Sequence, residues 1–147
     1  MAEDHPPEGF LRVDFDRGRP DPTFNGHIGT LYAKRGAKGS RDEFVLGFRV
    51  ERHMCNPAGG LHGGMLAAFL DSAMGTAVWH QLERRAVTLR LSLDYLAPAR
   101  VGDWLQAEGE VVGHDEHVAQ VRGRLYGPRH DVLAGLGAFA LLSRHRR

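Results

Sequence analysis

Apolar and polar residues alternate along much of this chain, and the alternation breaks once, for a long stretch in its middle. From Glu43 to Glu51 the residues Phe44, Leu46, Phe48 and Val50 fall on one face, the period-two pattern of a half-buried strand. A shorter strand is predicted over Ile28–Lys34, followed by a turn over Gly36–Ser40. Met65 to about Arg84 holds one glycine, Gly75, and no proline, and exceeds the length of an ordinary strand. It reads as a helix buried on most sides. Four further strand-like segments follow: Val87–Leu96, Asp103–Val112, His117–Tyr126 and Val132–Leu142. The turn-rich stretches Ala97–Gly102, Gly113–Glu116 and Gly127–His130 separate them, which predicts antiparallel neighbours. In the first, Val87, Leu89, Leu91, Leu93 and Tyr95 make an apolar face and Thr88, Arg90, Ser92 and Asp94 a polar one. Val132–Leu142 is apolar on both faces and is expected to be covered on both. The class is α+β, a long helix wrapped by an antiparallel sheet of about five to six strands.

A length of 147 residues suits one domain with a real core. Residues 1–24 hold most of the prolines and many charges and read as an irregular lead-in, leaving 25–147 as the single domain. Nineteen basic against eighteen acidic residues leave a formal charge of +1, so no global field recruits nucleic acid or a membrane surface. The single cysteine, Cys55, rules out an internal disulfide framework and suits a reducing compartment. The N-terminus lacks a signal-peptide pattern, and the longest apolar run falls short of the ~20 residues of a membrane helix, so a cytoplasmic protein is expected.

The chemistry concentrates between Asn56 and Asp71, where a glycine-rich polar loop runs into the apolar helix. Gly63 and Gly64 stand at the expected helix start, where backbone N–H groups lack intrahelical partners and can hold an anion or a developing oxyanion. Asp71 is the only charge between Met65 and Trp79. Eight residues separate Gly63 from Asp71, roughly 12 Å along a helix. One chain therefore cannot bring both to the same bond, and a two-fold dimer placing Asp71 opposite the other subunit's Gly63 is the simplest solution. Otherwise the glycines only permit close packing and Asp71 is a satisfied polar group. The nine histidines match no zinc spacing, and Cys55 has no identifiable basic partner, so neither a metal nor a cofactor is expected.

The ordered set Asn56…Gly60-Leu-His62-Gly63-Gly64…Asp71 resembles the PaaI-type hotdog-fold acyl-CoA thioesterases. The resemblance extends through Phe24-Asn-Gly-His-Ile-Gly29, Gly47-Phe-Arg-Val50, Val87 to Asp103 and the last apolar strand. It implies that Asn56 and the Gly63 N–H receive the thioester carbonyl oxygen, with His62 and Gly64 bracing the loop. Asp71 of the facing subunit would orient or deprotonate water, or attack the carbonyl itself, and Thr88 would hold the water or the aspartate. The pantetheine arm of acyl-CoA would pass Arg90, Tyr95, Gly113, His114, His117 and Val118. Asp115-Glu116 departs from the basic residue that many relatives carry here and repels phosphate, leaving Arg100, Arg122 or Arg124 to supply positive charge. The implied assembly is a homodimer, pairing further into a homotetramer.

Phe69, Met74 and Trp79 are candidates for an acyl pocket, favouring aryl or medium-chain groups, or are simply core. Three rivals stand beside the thioesterase: a hotdog hydratase or dehydratase, needing a histidine paired with a carboxylate, a non-catalytic acyl-CoA sensing module, and a purely structural dimerisation domain. The sensing module gains nothing from a buried water-activating carboxylate, and the structural domain leaves the polar loop unexplained.

Overall fold

The computed structural model describes residues 5–36 and 44–144. Of the turn expected over Gly36–Ser40, all but Gly36 lies outside the described residues. Seven strands form one antiparallel sheet: β1 (Leu11–Arg12), β2 (Tyr32–Arg35), β3 (Phe44–Arg49), β4 (Ala86–Tyr95), β5 (Trp104–His114), β6 (Val118–Tyr126) and β7 (Asp131–Leu141), in the spatial order β1-β2-β3-β5-β6-β7-β4. Among the described residues two α-helices accompany them, the four-residue α1 (Phe24–His27) and the twenty-residue α2 (Gly63–Leu82). The strand beyond the expected count is β1, in the N-terminal segment, where Leu11 pairs with Ala33. Among the described residues no helix is long and apolar enough to cross a membrane.

The sheet wraps α2 because its inner face leaves room for the helix to lie close. Gly109, Gly123 and Gly135 are register partners in a row across β5, β6 and β7. A Cβ at any of them would come within 2.7–3.0 Å of a neighbouring side chain, with Leu70, Met74 or Ala77 of α2 among the nearest groups. Leu66, Phe69, Leu70, Ala73, Met74, Ala77 and Val78 fill this interface, recurring at helical spacing, and the Phe69 ring meets Phe48 at 4.4 Å. Burial is one-sided in the single chain, however. Ala67, Ala68, Asp71, Ser72, Gly75 and Thr76 stay half-buried and Trp79 is exposed, so the expected burial on most sides is not completed within one copy.

Two expectations about β4 are corrected. First, β4 does not neighbour β5: it lies at the sheet edge beyond β7, pairing Ala86 with Leu141 and Tyr95 with Leu133. The turn-like stretch after it is a crossover along the end of the sheet, pinned by Leu96 and Ala97 N–H to Val132 O, Leu61 N–H to Ala99 O and Gly102 N–H to Val50 O. Second, its apolar face is not continuous. A bulge between Thr88 and Arg90 shifts the register, so that Thr88 lies opposite buried Phe139 on the helix side, while Val87, opposite Ala140, turns outward.

Candidate active site

The loop before α2 is built by Asn56. Its Oδ1 accepts the N–H groups of Ala58 at 3.0 Å and Gly60 at 3.2 Å, and its own N–H donates to Gly60 O at 2.8 Å. Two backbone donors on Oδ1 fix the orientation of the carboxamide and leave its NH2 group with no acceptor among the described residues. The crossover braces the loop from below, through the Leu61 to Ala99 bond and a bridge between Gly60 and Arg100.

His62 caps the helix. Its Nδ1 accepts the Gly64 N–H at 2.8 Å and its carbonyl accepts those of Met65 and Leu66. An accepting Nδ1 places the proton of the neutral ring on Nε2. A Cβ on Gly64 would approach that Nδ1 to 2.9 Å, so glycine there keeps the cap. The Gly63 N–H has no acceptor among the described residues and is the free donor at the positive end of the helix. Tyr95 closes over the same turn: its hydroxyl donates to Gly63 O at 2.7 Å, and a Cβ on Gly63 would meet its ring at 3.3 Å.

Two helical turns further on, Asp71 is half-buried at the flank of α2 nearest β4, and its Oδ1 accepts the Thr88 hydroxyl at 2.6 Å. The bulge creates this pair, because in unbroken alternation Thr88 would face away from the helix. Asn56, His62, Gly63, Gly64 and Tyr95 thus form one cluster and Asp71 with Thr88 a second.

The remaining sequence candidates lie apart from both. Gly113, His114, His117 and Val118 form the β5–β6 hairpin, beside the start of β4 through the row Val118, Ala140, Val87. Within the hairpin the Asp115 carboxylate accepts the N–H groups of His117 at 2.7 Å and Val118 at 2.8 Å, which hold its pKa below the usual carboxylate range. Arg90 is exposed on β4 opposite Ala138. Arg122 is paired with Glu110 at 2.7 Å, and Arg124 with Glu108 at 3.1 Å while its guanidinium lies over the Tyr126 ring. Arg100 makes no ion pair among the described residues. Phe69 and Met74 are fully buried core, whereas Trp79 is 56% exposed. A hollow of about 740 Å³ opens beside β5 and β6, lined by Ser92, Glu110 and Leu136, and of the candidates His114, Arg122 and Arg124 line it.

One contact near Asp71 was not expected from the residue pattern, although Asn25 lies in a segment that carries the family resemblance. Ser72 Oγ donates to Asn25 Oδ1 at 3.1 Å, tying α1 to α2. That short helix is held in turn by Asp16, the one buried charged side chain among the described residues, whose Oδ1 accepts the Thr23 N–H at 2.7 Å. The Thr23 hydrogen bonds lower the Asp16 pKa. Neither Asp16 nor Asn25 lies in a periodic pattern, which is why pattern reading passes over them.

This arrangement of a long helix, a curved antiparallel sheet and a glycine-rich helix start defines a class. The model of the thioesterase superfamily matches residues 58–134, and the chain belongs to that superfamily. A Pseudomonas aeruginosa relative, PA0474, named as a candidate esterase, is 30% identical over 137 residues, covering 92% of this chain and 96% of its own. Among solved structures, the Escherichia coli PaaI protein of the phenylacetic acid degradation operon superposes with a TM-score of 0.64 at 24% identity, over 68% of this chain and 72% of its own. The Bacillus halodurans protein BH2602, solved with CoA, superposes with a TM-score of 0.62 at 31% identity, over 66% and 70%. The fold is the hotdog fold of the PaaI-type thioesterases.

Proposed function

We propose that this protein hydrolyses acyl-CoA thioesters as a two-fold dimer, with Asp71 of one subunit acting at the helix start of the other. The observation that carries the reading is the Thr88 to Asp71 hydrogen bond, which aims the lone carboxylate of α2 toward the edge strand β4. That edge is ten residues long, and Val87 and Leu89 on it are exposed, so pairing it with a second copy satisfies its backbone and covers its apolar side chains.

In this dimer the Asn56 carboxamide NH2 and the Gly63 N–H polarise the thioester carbonyl and stabilise the oxyanion. Asp71 takes a proton from water as the water oxygen bonds to the carbonyl carbon. The carbon–sulfur bond then breaks, and the proton held by Asp71 passes to the departing thiolate, giving the free acid and CoA thiol. Tyr95 orders the loop through Gly63 O, and His62 holds the helix start as its cap. A hydratase role for His62 is disfavoured because its Nδ1 is spent on Gly64. Arg90, Gly113, His114, His117 and Val118 flank the path of the pantetheine arm, with a dimer of dimers as the full assembly.

Release of free CoA from aryl, short, medium and long acyl-CoA esters tests this reading, with wild type beside Asp71→Ala. The expected result is turnover by wild type that falls at least about a hundredfold in the variant. Binding of acyl-CoA without turnover by wild type would favour a sensing module instead.

A further inference from the structure

Gly75 lies in the middle of α2, four residues beyond Asp71 and four before Trp79. A glycine inside a helix weakens it relative to alanine, so its presence needs a reason. Among the described residues the chain's own fold supplies none. A Cβ there would find a single heavy atom within 4 Å, Phe139 Cε1 at 3.8 Å, which is ordinary contact, and Gly75 is not among the residues with positive φ. The contrast with Gly109, Gly123 and Gly135 is direct, since those glycines are required by the helix and side chains packed on them. The space over Gly75 is kept for something outside the chain.

Resting on the proposed thioesterase dimer, the geometry narrows what that is. Residues 71, 75 and 79 share one side of α2 at one-turn spacing. If antiparallel helices set Asp71 opposite position 63 of the facing copy, position 75 falls opposite position 59, ahead of that copy's helix start at 63. The facing helix therefore does not reach over Gly75. At the far end stands Trp79, an exposed indole roughly 12 Å along the axis from Asp71. On the flank, the Ser72 to Asn25 bond brings in α1 with its exposed Phe24.

We infer that the acyl group of the substrate lies along α2 over Gly75 and ends against Trp79, so that position 75 sets the bulk accepted and Trp79 the length.

The test uses the full chain with Gly75→Ala, Gly75→Leu and Trp79→Ala, measuring kcat/KM across acetyl, hexanoyl, phenylacetyl, dodecanoyl and hexadecanoyl-CoA, with sedimentation to follow assembly. Gly75→Leu is expected to lower the ratio of phenylacetyl or hexanoyl to acetyl turnover at least tenfold, with Gly75→Ala intermediate. Trp79→Ala is expected to move the optimum to longer chains. An equal loss on every ester would overturn this inference and leave the thioesterase reading standing. So would a Gly75→Leu chain that no longer assembles, which would assign the space to the facing subunit. Wild type without turnover on any ester would overturn both.

Discussion

The Asn56–Gly64 loop and the Gly113–Val118 hairpin are both exposed, polar and glycine-bearing, yet they handle their backbone donors in opposite ways. In the first, Asn56 Oδ1 and His62 Nδ1 consume the N–H groups of Ala58, Gly60 and Gly64, and the donors left over, the Asn56 NH2 and the Gly63 N–H, have no acceptor among the described residues. In the second, Asp115 consumes the N–H groups of His117 and Val118 and leaves a carboxylate at the surface. In the proposed mechanism a loop that spends some donors and keeps others free serves an oxyanion, whereas one closed on an acidic residue is a turn. The residue types alone do not separate the two; the hydrogen-bond accounting does.

The sharpest way to break this comparison is to divide the two jobs of Asn56. Asn56→Ala removes both the turn acceptor and the unpaired donor, and is expected to lower kcat/KM for acyl-CoA about 10²–10³-fold and to loosen the loop. Asn56→Asp keeps an acceptor for Ala58 and Gly60 but loses the donor, so it should match the loss of activity while keeping wild-type melting temperature. Retained activity in Asn56→Asp, read by CoA release, would dismiss the donor role.

A smaller effect is expected at the cap. His62→Ala frees the Gly64 N–H and should cost about 1 kcal/mol, a fall in Tm of roughly 2–4 °C. Asn at the same position caps well, so His62→Asn should restore Tm. Activity that recovers together with Tm would make His62 a brace alone, while activity lost despite the recovery would place its Nε2–H against the substrate.

The smallest effect belongs to the hairpin. The folded pKa of Asp115 is lowered by the His117 and Val118 N–H groups, so its ionised form stabilises the fold above the unfolded carboxylate value near ~3.9, and this is lost as pH falls through the lower folded value. Asp115→Asn should therefore melt slightly below wild type at neutral pH, with the gap closing in acid. By easing repulsion of the CoA phosphates it should also lower KM by about twofold at low salt, an effect that fades as salt is added. A KM unchanged at low salt would remove the hairpin from the substrate path.

Much of this was legible along the chain. Phe44, Leu46 and Phe48 do share one side of β3, with buried Val50 just beyond its end, and the long unalternating stretch is α2 with its start at the paired glycines. Thr88 is the instructive exception. Its alternation with Val87 and Leu89 is unbroken in sequence and puts it on the polar face, and only the resemblance to thioesterases placed it near Asp71. The register shift that turns it inward arises in the pairing of β4 with β7, whose residues lie some fifty positions later.

What the sequence determined by itself is therefore local: the strands, the helix, the glycine turn and the solitary carboxylate, each set by side-chain periodicity and backbone preference over a few residues. The tertiary structure alone decided that β4 lies outside β7, that Thr88 meets Asp71, that Tyr95 closes on Gly63 and that Asn25 reaches Ser72. The three side-chain contacts among these join residues between 17 and 47 positions apart, and the β4–β7 pairing joins residues as distant as Ala86 and Leu141. Their partners are chosen by how sheet and helix pack together, and no local pattern encodes that choice.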